Sequence, residues 1–475
     1  MLSCTSNAAP VLTGCLCHRP EFHSLTRRLG ADLSRRGFVA GATASMVFPR
    51  LAAAQAPPAR IVFANLRLFD GKSDSLRDGL SVLVEGNRIT AVAQGNPAVP
   101  EGARVIDCGG RVLMPGLIDA HWHALFAALP LSVVLTAEAS YIQLAASAEA
   151  GRTLMRGFTT IRDLGGPAFA LKQAIDEGLV AGPRVYPCGA MITGSGGHGD
   201  LRPLSDLPSD GKPSLTERTG SSMIVDSPDA IRLRVREQLL QGASQIKLIG
   251  SGGVSSPRSP LDVASLTEPE LRAGVDAAAD WSTYVTVHAY TPATIQRAIA
   301  AGALCIEHGH LMDEATARLM ADKGTWLSIQ PFLSADDTPP LTGESQSKMR
   351  QVLAGTDRAY TLARDHKVKM AFGSDLLFSQ PLTRRQGTML THLSRWFTTA
   401  EILRMATAAN GELLALSGPR NPYPGKLGVV EDGALADLLL VDGNPLADIK
   451  LLETPEKNLL VIMKDGKIHK DMLKG

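Results

Sequence analysis

The run Met114-Pro115-Gly116-Leu117-Ile118-Asp119-Ala120-His121-Trp122-His123 ends in two histidines one residue apart. On a strand the side chains alternate with period two, so His121 and His123 leave on the same side and both imidazoles can reach one ion. An isolated pair of this kind is a weak signal, because core and surface histidines produce it too. Three further apolar runs add weight. His288 closes Tyr284-Val285-Thr286-Val287-His288, His308 closes Ala303-Leu304-Cys305-Ile306-Glu307-His308, and Asp375 follows Met370-Ala371-Phe372-Gly373-Ser374. Lys247 lies within Gln245-Ile246-Lys247-Leu248-Ile249-Gly250-Ser251-Gly252-Gly253. A lysine among apolar strand residues buries a charge at high cost, so its pKa should fall and its neutral amine become reactive. Such an amine can take up carbon dioxide as a carbamate, whose two oxygens can bridge two cations. The alternative is a lysine paired to a carboxylate of a neighbouring strand.

Bringing these groups together requires strands that end at one place. Strand-like runs beginning near Val112, Thr159, Arg184, Gln245, Tyr284, Ala303, Trp326 and Lys369 alternate with stretches of helical period at 142–156, 229–241, 267–280, 292–301 and 399–408. Ser227-Pro228-Asp229 is a helix-start signal for the second of these. The alternation predicts an α/β fold, a (β/α)8 TIM barrel, with each candidate ligand at the C-terminal end of a strand, where such barrels place their chemistry. Residues 193–226 are rich in Gly, Pro and Ser and too long for an ordinary connection, so they are expected to form a lid. Short alternating runs at 61–68, 80–84 and 89–92, and again at 438–441 and 459–463, are separated by turn residues such as Asp70-Gly71, Asp442-Gly443 and Asp465-Gly466. The two ends are expected to assemble one small β-sandwich domain. The expected division is therefore a removed signal at 1–54, sandwich parts at 60–112 and 416–475, and the barrel at 113–415.

The chain has 475 residues, with 48 Lys and Arg against 47 Asp and Glu, a net charge of +1. That balance lacks the basic surface that nucleic-acid or anionic-membrane binding needs, so neither partner is expected for the mature protein. Ser34-Arg35-Arg36-Gly37-Phe38 carries an arginine pair before a moderately apolar run, then Arg50 and the small residues Ala52-Ala53-Ala54. The run is too short to span a bilayer, and the segment reads as a twin-arginine export signal cleaved after Ala54, giving a periplasmic or secreted product. Cys4, Cys15 and Cys17 fall in the removed part. Cys108, Cys188 and Cys305 remain, too few and too widely spaced for a disulfide framework, and are expected to be buried small hydrophobes.

Taken together, the chain resembles the amidohydrolase superfamily over essentially its whole mature length. The resemblance rests on the Met114–His123 run, the strand-end Lys247, the single His288 and His308, Asp375, and Gly433-Ala434-Leu435-Ala436-Asp437 leading into the last sheet. It implies that His121 and His123 hold one metal and His288 and His308 a second. It also implies that carboxylated Lys247 bridges them and that Asp375 binds metal and accepts a proton. Ile246-Lys247-Leu248 with Ser251-Gly252-Gly253, and His288-Ala289-Tyr290, are similar to the binuclear, imidazolonepropionase-related branch. That branch includes Xaa-Pro dipeptidases, carboxypeptidases and ochratoxin-degrading amidohydrolases. The implied reaction is hydrolysis of an amide or dipeptide that releases an amino acid with a free carboxylate, ochratoxin A being one candidate substrate. The implied cofactors are two divalent ions, zinc by default, with manganese, cobalt or iron also suited to these ligands. Relatives of the branch are often multimeric, so a homo-oligomer, up to an octamer, is expected.

In such a site the ions supply a water of lowered pKa and a polarised carbonyl, and Asp375 passes the water's proton to the leaving amine. His198, in Gly194-Ser195-Gly196-Gly197-His198-Gly199, is a candidate for stabilising the oxyanion, and Tyr290 for binding the oxyanion or the substrate carboxylate. His310 is expected to support His308 from outside, and Arg258 is a candidate carboxylate clamp. His18, His23, His366, His392 and His469 are read as structural, and Asp336-Asp337 as part of a solvated loop. The competing readings are a lactonase or aryl-ester hydrolase using the same site, and a non-catalytic binding protein, which the presence of all six expected ligand positions disfavours.

Overall fold

The computed structural model describes residues 60–95, 99–209 and 211–473; the expected signal segment lies outside them. Eight parallel strands run through the middle of the chain: Leu117–Trp122, Phe158–Asp163, Arg184–Pro187, Ile246–Ile249, Val285–Ala289, Cys305–His308, Trp326–Ile329 and Lys369–Phe372. We call them the first to eighth barrel strands. The first three pair in order, as do the fourth to the eighth. After Pro187 the third strand breaks and resumes as Met191–Thr193, which reaches the fourth through Ile192 and Leu248. The eighth returns to the first, where the Asp375 amide donates to the His121 carbonyl at 2.9 Å. The result is a closed α/β barrel.

The strands are almost wholly buried because helices cover them. Leu248, Val287, Ile306 and Leu327 share one core with Ile231, Leu271, Ile295 and Val352 from the surrounding helices. Ser227 caps helix Pro228–Leu240 through the Ala230 amide, with a proline in its first turn, as the local sequence specifies. Helices Ala139–Met155, Glu268–Ala279 and Pro292–Ala300 lie within a few residues of their expected positions. The expected helix at 399–408 instead runs as Thr399–Arg404, a π-turn Met405–Ala409 and then Asn410–Ala415. The Asn410 side chain donates to the carbonyls of Ile118 and Phe372 at 2.7 and 2.9 Å, tying the first strand to the eighth.

The run expected to open the barrel near Val112 divides. Val112–Pro115 pairs with Leu438–Val441 and with Arg60–Leu68, so it belongs to the terminal sheet and the expected boundary after residue 112 moves past Pro115. At Gly116 the chain passes so close to the second strand that a Cβ would collide with the Thr159 side chain. The sheet joins both ends of the chain in the order Lys467–Asp471, Leu459–Lys464, Leu438–Val441, Val112–Pro115, Arg60–Leu68, Arg77–Glu85, Arg88–Gln94, with Arg104–Asp107 also on Arg60–Leu68. These strands form one hydrogen-bonded sheet built from both ends of the chain. Alternation decides which way each residue faces. Leu113, Leu438, Leu440, Val461 and Met463 pack within the sheet's own core, whereas Val112, Met114, Leu439, Val441 and Ile462 pack on the barrel.

Residues 193–226 contain the short strand Ser222–Ile224, paired to Met191–Thr193, and the short helix Leu215–Arg218. Among the described residues no helix is long and apolar enough to cross a membrane. Cys108, Cys188 and Cys305 are free and buried.

Candidate metal centre and hydrolytic site

His121, His123, Lys247, His288, His308 and Asp375, read from five separate runs, line one cavity at the C-terminal ends of the barrel strands, with His198 and Tyr290. One ligand atom from each of His121, His308 and Asp375 lies within 4.8 Å of the other two. His308 (φ 77°) and Asp375 (φ 50°) both adopt the left-handed backbone region, which costs non-glycine residues energy and concentrates at functional sites.

Each imidazole is anchored by one nitrogen to an outer acceptor. His121 Nδ1 lies 2.8 Å from Glu307 Oε2, His308 Nδ1 2.7 Å from Gln330 Oε1, His288 Nε2 2.9 Å from the Gly252 carbonyl, and His123 Nδ1 3.4 Å from the Gly165 carbonyl. His121 Nδ1 also lies 3.2 Å from Gln330 Nε2; for the other three rings the acceptor fixes the tautomer and leaves the opposite nitrogen with its lone pair. His121 Nε2 and His123 Nε2 then face Asp375 Oδ1 at 3.5 and 3.4 Å, and that oxygen is buried without a hydrogen bond. Lone pairs converging on a carboxylate oxygen repel unless a cation lies among them, so the donor set fits a metal. Burial pushes His121 down to about 4 and holds His288 and His308 well below their ordinary value, keeping the rings in the neutral, ligating form.

Lys247 is 2% exposed. Burial lowers its pKa, with the charges of Glu307 and Asp375 acting against that shift, and among the described residues it makes no direct ion pair. Of the two carboxylates that act on it, Glu307 is the stronger, and its direct bonds go to other groups. One oxygen accepts from Arg162 Nη2 at 2.6 Å and Thr286 Oγ1 at 2.5 Å, while Oε2 is buried without a hydrogen bond, 2.8 Å from His121 Nδ1. Burial would raise Glu307, but Arg162, Lys247 and His121 outweigh it and hold the carboxyl well below its ordinary value.

His198 stacks on His288 with ring centres 4.5 Å apart, and its Nδ1 lies 2.9 Å from Ser256 Oγ. Ser256 Oγ also accepts from the Gly199 amide at 3.0 Å, and giving its own proton to Nδ1 would leave His198 a donor at Nε2. Tyr290 stacks on His308 at 4.9 Å and meets His288 edge-on at 5.2 Å; burial raises its phenol, which stays protonated. His310 donates from Nε2 to the Gln330 carbonyl at 3.0 Å, and so supports the residue whose side chain anchors His308. The outer walls are apolar, including Met191, Ile249, Phe332, Leu341, Met349 and Phe378.

Two expectations fail. Arg258 is exposed, donates to the Arg202 carbonyl at 3.1 Å and does not line the cavity, so it is not the carboxylate clamp. Asp337, expected in a solvated loop, is 1% exposed and lines the cavity mouth. It accepts from the Leu333 amide at 2.8 Å and from Arg385 at 2.7 Å, which pins the loop after the seventh strand. His366 and His392 lie outside the cavity, against Glu314 at 3.6 Å and the Pro331 carbonyl at 3.1 Å respectively.

Sequence reading missed Glu307, Arg162 and Lys348. The first two carried a usable signal, since each is a charged residue in an apolar strand and a buried charge requires a partner. Lys348 carried none. It sits in helix Gly343–Asp365, which was not anticipated because its buried face includes Ser345, Lys348 and Thr356. Its Nζ donates to the carbonyls of Gly253, Ser256 and Ser259 at 2.8, 2.6 and 3.1 Å, stitching down the loop that anchors His288 and His198.

Residues 112–470 match the amidohydrolase family. The chain belongs to that family. It is 30% identical over 429 residues to the ochratoxinase of Aspergillus niger, covering 86% of each chain. A solved prolidase complexed with N-methylphosphonate-L-proline is 34% identical, with a TM-score of 0.80 over 87% of this chain and all of that one. A Xaa-Pro dipeptidase with bound methionine in its active site is 29% identical, with a TM-score of 0.74 over 87% of this chain and all of that one. Family membership and these relatives support a hydrolase acting on amide bonds.

Proposed function

We propose that this amidohydrolase cleaves an amide to release an amino acid with a free carboxylate, as a carboxypeptidase, Xaa-Pro dipeptidase or N-acyl amino acid hydrolase, with ochratoxin A among its candidate substrates. The observation that carries the reading is the gathering of His121, His308 and Asp375 within ligand reach of one another, in a cavity that His123, His288 and the buried Lys247 also line. His121, His123, His288, His308 and Asp375 would hold two divalent cations, zinc by default, with Lys247 as the bridge. The lysine amine adds to carbon dioxide and loses one proton, giving a carbamate anion. Bound there, the cations supply a water of lowered pKa and polarise the substrate carbonyl.

The chain's own groups do the rest. Asp375 takes a proton from the attacking water oxygen and delivers it to the leaving nitrogen. His198 donates from Nε2 to the developing oxyanion, an orientation that Ser256 fixes. Tyr290, held as a phenol, donates to the same oxyanion or to the substrate carboxylate. The relatives' names, an ochratoxinase and two proline-type dipeptidases, support the substrate class. The arginine pair and small-residue site ahead of residue 55 support export to the periplasm or medium, and the branch resemblance supports a homo-oligomer.

The test is metal content per chain on protein purified without added metal, alongside hydrolysis of N-acyl amino acids, Xaa-Pro dipeptides and ochratoxin A and of an ester sharing one acyl group. The expected result is about two ions and a free amino acid from at least one amide. One ion or none, or cleavage of the ester alone, overturns the proposal.

A further inference from the structure

A second cavity opens at the other end of the barrel, where the third strand begins at Arg184 and the terminal sheet comes alongside. The hairpin Leu459–Lys464 and Lys467–Asp471 contributes one of its walls. Lys464 and Lys467 are direct cross-strand partners, and His469 follows two residues later on the same face. All three line the cavity, together with Arg88 and Arg184. Like charges placed opposite each other across a strand pair destabilise it, and here one of them is also desolvated, since Lys464 is 8% exposed.

Asp437, Asp465 and Asp176 favour the Lys464 cation through space, but their bonds go to other donors. Asp437 accepts from Arg184 on both oxygens, at 2.7 and 3.1 Å, and from the Asp465 amide at 2.7 Å. Asp465 accepts from Arg184 at 2.8 Å and Asn87 at 3.1 Å, and Asp176 from Lys172 at 2.5 Å and the Tyr423 hydroxyl at 2.8 Å. Among the described residues no hydrogen bond or ion pair reaches Lys464 Nζ, although the side chain lines the cavity. His469 Nε2 is likewise buried at the wall without a partner.

We propose that this cavity binds a small oxyanion, either inorganic phosphate or the carboxylates of a small organic acid, with Lys464 and Lys467 as its principal donors and His469 beside them. The site lies at the end of the barrel opposite the hydrolytic centre and touches the sheet, the third strand and the 422–424 segment. Its occupant fastens the terminal sheet to the barrel and takes no part in hydrolysis.

Thermal unfolding of the full, metal-loaded chain tests this in chloride, phosphate and malonate at matched ionic strength. Phosphate or malonate should raise Tm saturably, by about 3 °C or more above chloride; a response to one alone identifies the source. Lys464→Met should unfold no earlier than the parent in chloride, because it removes a desolvated charge, and should lose the anion-dependent increment while retaining the parent's kcat. Should that variant fail to fold, Lys467→Gln, at an exposed position, should lose most of the increment. No anion-dependent rise in the parent, or a rise that the substitution leaves intact, overturns the proposal. The second outcome would place the anion's effect elsewhere on the protein.

Discussion

Two buried lysines lie near the hydrolytic site, Lys247 on the fourth barrel strand and lining the cavity, Lys348 on helix Gly343–Asp365 and bonded to the loop after that strand. They are buried alike, at 2% and 5% exposure, and burial lowers the pKa of both. Their surroundings differ. Lys348 spends its three protons on three carbonyls, the full donor capacity of an ammonium, whereas Lys247 meets no acceptor or ion-pair partner among the described residues. A buried cation with every donor satisfied is a fastener, and its substitution exposes the acceptors it served. A buried amine with none is cheaper to keep neutral, and a neutral amine can react. Satisfaction of hydrogen bonds, rather than depth of burial, separates the two lysines.

The comparison can be tested at its strongest point first. Lys247→Ala should lower kcat on the order of a thousandfold, about 4 kcal/mol of barrier, with loss of bound metal and a fold intact by circular dichroism. Retention of two ions and of activity would make the two lysines equivalent and remove the bridge. Lys348→Met should keep its metals but lower kcat about tenfold to a hundredfold, since the loop that orients His198 and His288 loses its anchor. Lys348→Arg, which restores the charge and several donors, should recover part of kcat; a purely structural role would lower stability without moving kcat relative to KM.

The smallest effect concerns pH. Burial places His121 at about 4 and His198 at about 3, against 6.5 for a free imidazole, so in metal-stripped protein the folded state stays neutral where the unfolded chain binds protons. Stability should therefore fall as pH drops through 6.5 towards 4, and level off below the folded values. A fall in Tm of about 5 °C or more across that window, blunted by added zinc, is the expected result. A flat profile would mean that the imidazoles are not held neutral by burial.

Much of the site was legible before any coordinates. His121, His123, Lys247, His288, His308 and Asp375 each end or interrupt an apolar run, and strands of a parallel barrel end at one face, so a common destination followed from the pattern. The boundary at Val112 was not legible. Val112–Pro115 and Leu117–Trp122 form one continuous apolar stretch, and only the approach of Thr159 to Gly116 shows where the chain leaves one sheet for the other. Asp337 and Arg258 misled for the same reason in opposite directions. Both lie in loops, where sequence does not say which polar residue turns inward, and the amides of Leu333 and Ser334 with Arg385 decided it for Asp337.

The sequence by itself determined the barrel, the helix caps such as Ser227, and the residue types that meet at the cavity, because these depend on periodicity and on local hydrogen bonding. Only the tertiary structure decided which imidazole nitrogen is free, that Glu307 and Arg162 satisfy each other beneath the site, and that Lys348 is spent while Lys247 is not. Those outcomes depend on which acceptors stand within about 3 Å of a given donor. In a closed barrel such neighbours come from strands, loops and helices far apart in the chain.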